Sequence, residues 1–160
     1  MIRRIAFLLL LGVSAAFAAP PPAETPVTPH YVSQRGAEAY LREGPSYDHK
    51  ITWIYRHRGY PFRVTASYDV WRRVEAPDGV VGWMSATMLS DARTVLITGK
   101  GQVQIHAAQE GGKLVGLANP GAVASLKSCT PDSCHITGQD INGWIARNRL
   151  WGVGADEVFK

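Results

Sequence analysis

Two stretches decide how this chain reads: "GVVGWMSATML" at Gly79–Leu89 and "DINGWIARNRL" at Asp140–Leu150. Each places Gly-Trp after small or branched residues, follows it with Met84 or Ile145, and closes on Leu89 or Leu150. The two tryptophans lie 61 residues apart, and the agreement extends upstream of them. A shift of 62 sets Gly59 on Gly121, Trp53 and Tyr55 on Val115 and Leu117, Phe62 and Val64 on Ala124 and Leu126, and Val74 on Ile136. Every pair remains apolar or remains glycine. Agreement of several blocks in one order is the signature of an internal repeat, and it predicts two tandem units, 31–95 and 96–152, with a tail at 153–160.

The texture inside the units is that of small antiparallel β structure. In "ITWIYRHRG", Ile51, Trp53 and Tyr55 alternate with Thr52, Ile54 and Arg56, and in "YPFRVTA" Tyr60, Phe62 and Val64 share one face. Turn residues fall where hairpins need them, at Gly44-Pro45-Ser46, Arg58-Gly59, Pro77-Asp78-Gly79 and Asn119-Pro120-Gly121. No stretch sustains a helical period. The expectation is an all-β protein in which glycine of each Gly-Trp permits a close backbone approach and Trp83 and Trp144 fill the two cores.

The first unit resembles a known family. "AYLREGPS" at Ala39–Ser46, the central Gly59, "WRRV" at Trp71–Val74 and "DGVVGWMSATML" at Asp78–Leu89 are similar, in order and spacing, to the bacterial SH3-like domain of exported, alphaproteobacterial type. The resemblance implies a small five-stranded barrel, and hence two tandem SH3-like barrels. Tyr40 stands where the family pattern has Asn. The second unit keeps Val103, Ile105 and Gly143-Trp144 but loses Gly-Pro and the central Trp, so it reads as a degenerate copy.

Ahead of the repeats, "MIRRIAFLLLLGVSAAFAAP" combines a basic start, an apolar run from Ile5 to Val13 and Ala16-Phe17-Ala18, which reads as a secretory signal peptide at 1–18 cut between Ala18 and Ala19. The apolar run is about half the ~20 residues a spanning helix needs, so no stable membrane insertion is expected after cleavage. Residues 19–30 carry five of the ten prolines and read as an extended, proline-rich spacer. Removing Arg3 and Arg4 leaves 15 Lys and Arg against 13 acids, a charge of +2 instead of +4, too small for a nucleic-acid partner. The expected location is periplasmic or secreted.

Cys129 and Cys134 are the only cysteines and bracket "TPDS". In an oxidising compartment a disulfide across that turn is the default. A redox dithiol prefers two intervening residues where there are four. A zinc site or a Cys-His nucleophile is opposed by His135, which follows Cys134 directly and on a strand points to the other face. The five histidines show no metal-ligand spacing and no paired carboxylates stand out, so neither metal, cofactor nor catalytic residue is expected.

What remains is a set of rings and cations in the first unit. Tyr40, Arg42, Tyr47, Trp71 and Arg72 sit near turns and form the candidate ligand-binding residues, suited to a peptide or a carboxylate-bearing glycan–peptide polymer through stacking and charge-assisted hydrogen bonds. The same rings are also what the core of a small barrel demands, with arginine stems lying over them. The function expected is therefore a non-catalytic module that binds peptidoglycan, a peptide or a periplasmic protein. A permanent accessory subunit of an envelope complex is the alternative; a small wall hydrolase or thiol oxidoreductase is a distant third.

Overall fold

The computed structural model describes residues 23–109 and 111–158, and these form fourteen strands in two seven-stranded antiparallel sheets. The signal-peptide reading and the first residues of the spacer lie outside the described residues. The first sheet comprises β1 (Thr25–Gln34), β2 (Ala39–Arg42), β3 (Ile51–Tyr55), β4 (Pro61–Tyr68), β5 (Trp71–Glu75), β6 (Val81–Ser85) and β7 (Leu89–Ser90). The second comprises β8 (Thr94–Ile97), β9 (Val103–His106), β10 (Leu114–Ala118), β11 (Val123–Cys129), β12 (Ser133–Thr137), β13 (Asn142–Ala146) and β14 (Leu150–Trp151). Their orders are β3-β2-β6-β5-β4-β1-β7 and β10-β9-β13-β12-β11-β8-β14. Adding seven to each strand of the first order yields the second, so the repeat seen in sequence is a repeat of topology.

Each sheet closes over its own core, because alternation places every second residue inside. Leu41, Phe62, Val64, Val74 and Met84 are the centre of one; Val95, Ile97, Leu126, Ile136 and Ile145 are the centre of the other. The glycine of each Gly-Trp exists for closeness of approach. A Cβ on Gly82 would lie 2.8 Å from the Arg42 carbonyl oxygen, and one on Gly143 would lie 2.6 Å from that of His106, so only glycine lets β6 meet β2 and β13 meet β9. At Gly59 and Gly121, φ values of +80° and +89° require glycine in both copies of one turn.

The structure corrects four expectations. Trp144 does not fill a core, and the following Ile145, fully buried, occupies the interior instead; Trp83 is buried as expected, although it shares its register positions with Arg42 and Arg73 while Met84 joins the core cluster. Trp144 is only partly buried. Second, the proline-rich spacer ends sooner than residue 30, because β1 starts at Thr25 and pairs Pro26 with Ala66 before a register shift. There β4 lines one side of β1 while β7 reaches only Ser33 and Gln34, so a missing N–H costs no ladder bond. Third, in the edge strands the repeat is in register at 63 and not 62: Leu41 faces Trp53 and Ile105 faces Gly116. Fourth, the second sheet begins at Thr94, and the C-terminal segment is no free tail, since Arg93 forms an ion pair with Glu157 and Arg147 donates to the Gly154 and Glu157 carbonyls.

The two units touch. Tyr31 of β1 packs edge-on against Trp151 of β14 with centroids 5.4 Å apart, the Arg93 guanidinium lies over the same tyrosine, and the Thr94 hydroxyl donates to the Gly59 carbonyl at 2.6 Å. Cys129 and Cys134 are joined by a disulfide between directly opposed residues of β11 and β12.

Candidate functional site

The outer face of the first sheet is built by register. Arg42 of β2 lies opposite Trp83 of β6, which lies opposite Arg73 of β5; one step along, Trp71 lies opposite Ser85. Residues so opposed share a face, so Arg42, Trp83, Arg73 and Trp71 form one surface directed away from Met84 and Val74. Left bare, two indoles there would be an apolar patch. Both are buried, at 5% exposure for Trp71 and 4% for Trp83.

The cover over Trp71 comes from the loop that follows β2, "EGPSYDHK" at 43–50. Its Tyr47 ring packs edge-on against Trp71 with centroids 4.9 Å apart and an interplanar angle of 67°. The Arg42 guanidinium sits 5.5 Å from the Tyr47 centroid. One of its terminal nitrogens donates to the Tyr47 carbonyl at 3.0 Å and to the His49 carbonyl at 2.7 Å, pinning the loop across the sheet. The loop needs Gly44 because the His49 ring occupies the space of a Cβ, 2.4 Å away. Tyr47 itself remains 64% exposed. An exposed ring is thus fixed on a buried one, with a cation beside it that has further N–H donors unused among the described residues.

Of the five residues singled out from sequence, the structure brings Arg42, Tyr47 and Trp71 together. Trp71 serves as the base of the arrangement, because it is buried and Tyr47 lies on it. Tyr40 shares the outward side of β2 with Arg42, and its hydroxyl donates to Glu38 at 2.9 Å. Glu38 also accepts from Arg56 at 2.9 Å. Those two bonds, the arginine's first, hold the Glu38 carboxyl below its ordinary range, and the Tyr40 phenol is raised by its bond to that carboxylate. Arg72 stands apart: it donates to the Asp69 and Trp71 carbonyls and lines a separate pocket of about 230 Å³ with His30, Arg35 and Asp91.

The remaining rings of the first unit are mostly core. Tyr55 stacks on Tyr60 and meets Phe62 edge-on, and burial pushes its phenol well above the usual tyrosine range. Sequence reasoning missed Trp53, which is 50% exposed on the edge strand β3 with Ile51 and Ile54 beside it. A tryptophan that alternates in phase with core residues signals burial; the sheet edge, invisible in sequence, leaves it open. Among the described residues no group of three His, Cys, Asp or Glu side chains is placed to hold a metal, and no helix is long and apolar enough to cross a membrane.

Comparison with known proteins falls on this same unit. Residues 35–91 match the family model of the bacterial SH3 domain, a span that runs from just before β2 to just after β7 and contains the whole Arg42–Tyr47–Trp71 arrangement. No curated protein matches the chain. Among solved structures, NlpC2 from Trichomonas vaginalis is similar at a TM-score of 0.36 and 9% identity, covering 78% of this chain and 48% of that one. NlpC1 from the same organism is similar at 0.34 and 10%, covering 86% of this chain and 47% of its own. The chain therefore spans about half the length of each.

Proposed function

We propose that this protein is an exported, non-catalytic binding module whose first unit holds a peptide of the cell wall in the bacterial envelope. The observation that carries the reading is Tyr47: a largely exposed ring, clamped on a buried tryptophan and flanked by the Arg42 guanidinium. A fixed ring forfeits little conformational freedom on binding, and exposed aromatic and arginine residues so held are the usual anchors of recognition. An arginine beside the ring suits a ligand bearing carboxylates, through charge-assisted hydrogen bonds. The match of residues 35–91 to the bacterial SH3 domain supports a binding role. The second sheet, with the strand order of the first, is read as a degenerate copy of the same domain.

Sedimentation with purified sacculi tests this: wild-type protein is retained in the pellet and released by soluble wall peptide. Export is tested by sequencing the N-terminus of the cellular protein, which is expected to begin at Ala19.

A second reading, that of an accessory subunit, is favoured by one observation. The edge strand β10 exposes Leu114, Val115 and Leu117, each about half accessible, beside unpaired backbone. Edge strands of this kind invite pairing with another chain. Absence from the sacculus pellet, with one envelope protein co-purifying instead, selects this reading over the first.

A further inference from the structure

The outer face of the second sheet repeats the register of the first with different chemistry. Trp144 of β13 lies opposite His106 of β9 on one side and His135 of β12 on the other, the positions held around Trp83 by Arg42 and Arg73. The His135 ring is stacked on Trp144 at 5.3 Å and 26°. Whereas Trp83 is buried, Trp144 is partly exposed.

From His106 an open cleft of about 420 Å³ runs along β9 and β13, lined by Gln102, Gln104, His106, Ala146, Asn148 and Arg149. Its polar side chains are amides, an imidazole and the Arg149 guanidinium, with no carboxylate among them. Gln104 and Asn148 are exposed and their side chains have no partner among the described residues. Gln102 spends one N–H on Asn119. The Nδ1–H of His106 donates to the Gly112 carbonyl at 2.8 Å, so Nε2 takes no part in that bond. Arg149 is turned to the carbonyls of Thr98 and Lys100.

We propose that this face is a saccharide-binding site. A side-chain amide offers two donors and an acceptor, which matches hydroxyl and N-acetyl groups that both give and take hydrogen bonds. The partly exposed indole at the end of the row supplies the apolar surface on which the C–H face of a pyranose ring rests. The lining holds no carboxylate, and its arginine is held by backbone carbonyls, so the ligand is a neutral or N-acetylated glycan and not a polyanion. This inference adds a second ligand class to the proposed envelope role and is independent of the Tyr47 arrangement.

The test is calorimetric titration of the whole protein with N-acetylated chitotetraose, a glycan that carries no peptide. Saturable binding is expected, with Gln104→Ala and Asn148→Ala each weakening it about fivefold, the value of roughly one neutral hydrogen bond. Both residues are exposed, so the variants retain the wild-type melt. Quenching or blue shift of tryptophan emission on binding, lost in Trp144→Phe, places the sugar on the indole. No saturable binding, or binding that neither Gln104→Ala nor Asn148→Ala weakens, overturns the proposal. A glycan-free stem peptide probes the first unit separately, so failure of one site is distinguishable from failure of the other.

Discussion

At the scale of single residues, the two tryptophans of the first unit's outer face differ in kind from the tyrosine that covers them. Trp71 has 5% of its surface exposed, and its truncation removes the floor under Tyr47. Trp71→Ala is expected to cost about 3–5 kcal/mol and Met84→Ala about 2–5, read as loss of the first unit's thermal transition. Tyr47→Ala removes the ring packed on Trp71 but at a site 64% exposed, and is expected to cost about 1 kcal/mol and leave the first unit folded. Trp144→Ala is expected to be milder than Trp83→Ala, because the former is partly solvated already; equal losses of melting temperature would contradict that difference in burial. Sequence identified Arg42, Tyr47 and Trp71 because rings and cations near a Gly-Pro turn are conspicuous. It misplaced Trp144 in the core because which side of a strand faces inward is set by cross-strand register, and a large apolar residue is equally at home on a covered outer face.

At the scale of elements, alternation and turn residues made most strands legible, and the doubled Gly-Trp ending announced the doubled sheet. Less legible were the elements whose state depends on a distant partner. The stretch from Thr25 to Pro29 has the composition of a spacer, yet it lies along β4 because that strand offers an edge. The slip between 62 and 63 in the edge strands follows from the turn between β10 and β11, residues 119–122, which is one residue shorter than its counterpart at 56–60, since both copies carry the same register shift further along. The disulfide, by contrast, was expected from two cysteines bracketing a turn in a chain read as exported, and it is present. Cys129 and Cys134 close a short hairpin, for which the chain-entropy estimate is about 2 kcal/mol. Reduction is therefore expected to lower the stability of the second unit alone, seen as faster amide exchange in β11 and β12 with β4 and β5 unchanged; equal acceleration in both sheets would show that the units melt as one.

At the scale of the whole molecule, the units are linked through Tyr31, Arg93, Trp151 and Glu157. The Arg93 hydrogen bonds hold the Glu157 carboxyl below its ordinary value, ahead of opposing desolvation. A carboxylate with a lowered folded-state pKa contributes stability that is present above the unfolded value and lost as pH falls through the folded one. Acidification below the ordinary carboxylate range is thus expected to loosen the C-terminal segment, and Glu157→Gln to abolish that pH dependence in a proteolysis assay of the C-terminus. The assembly matters for function because it presents two outer faces, one closed by a loop bearing Tyr47 and one left open around Trp144. The central claim is that the first of these is a recognition surface and that Tyr47 is its anchor. Titration of soluble wall stem peptide into wild type and Tyr47→Ala, each with its thermal melt, tests it most directly: the account predicts a variant that still melts cooperatively, slightly below wild type, with a loss of about 1–3 kcal/mol in binding, and a folded Tyr47→Ala that binds the peptide as tightly as wild type would contradict it.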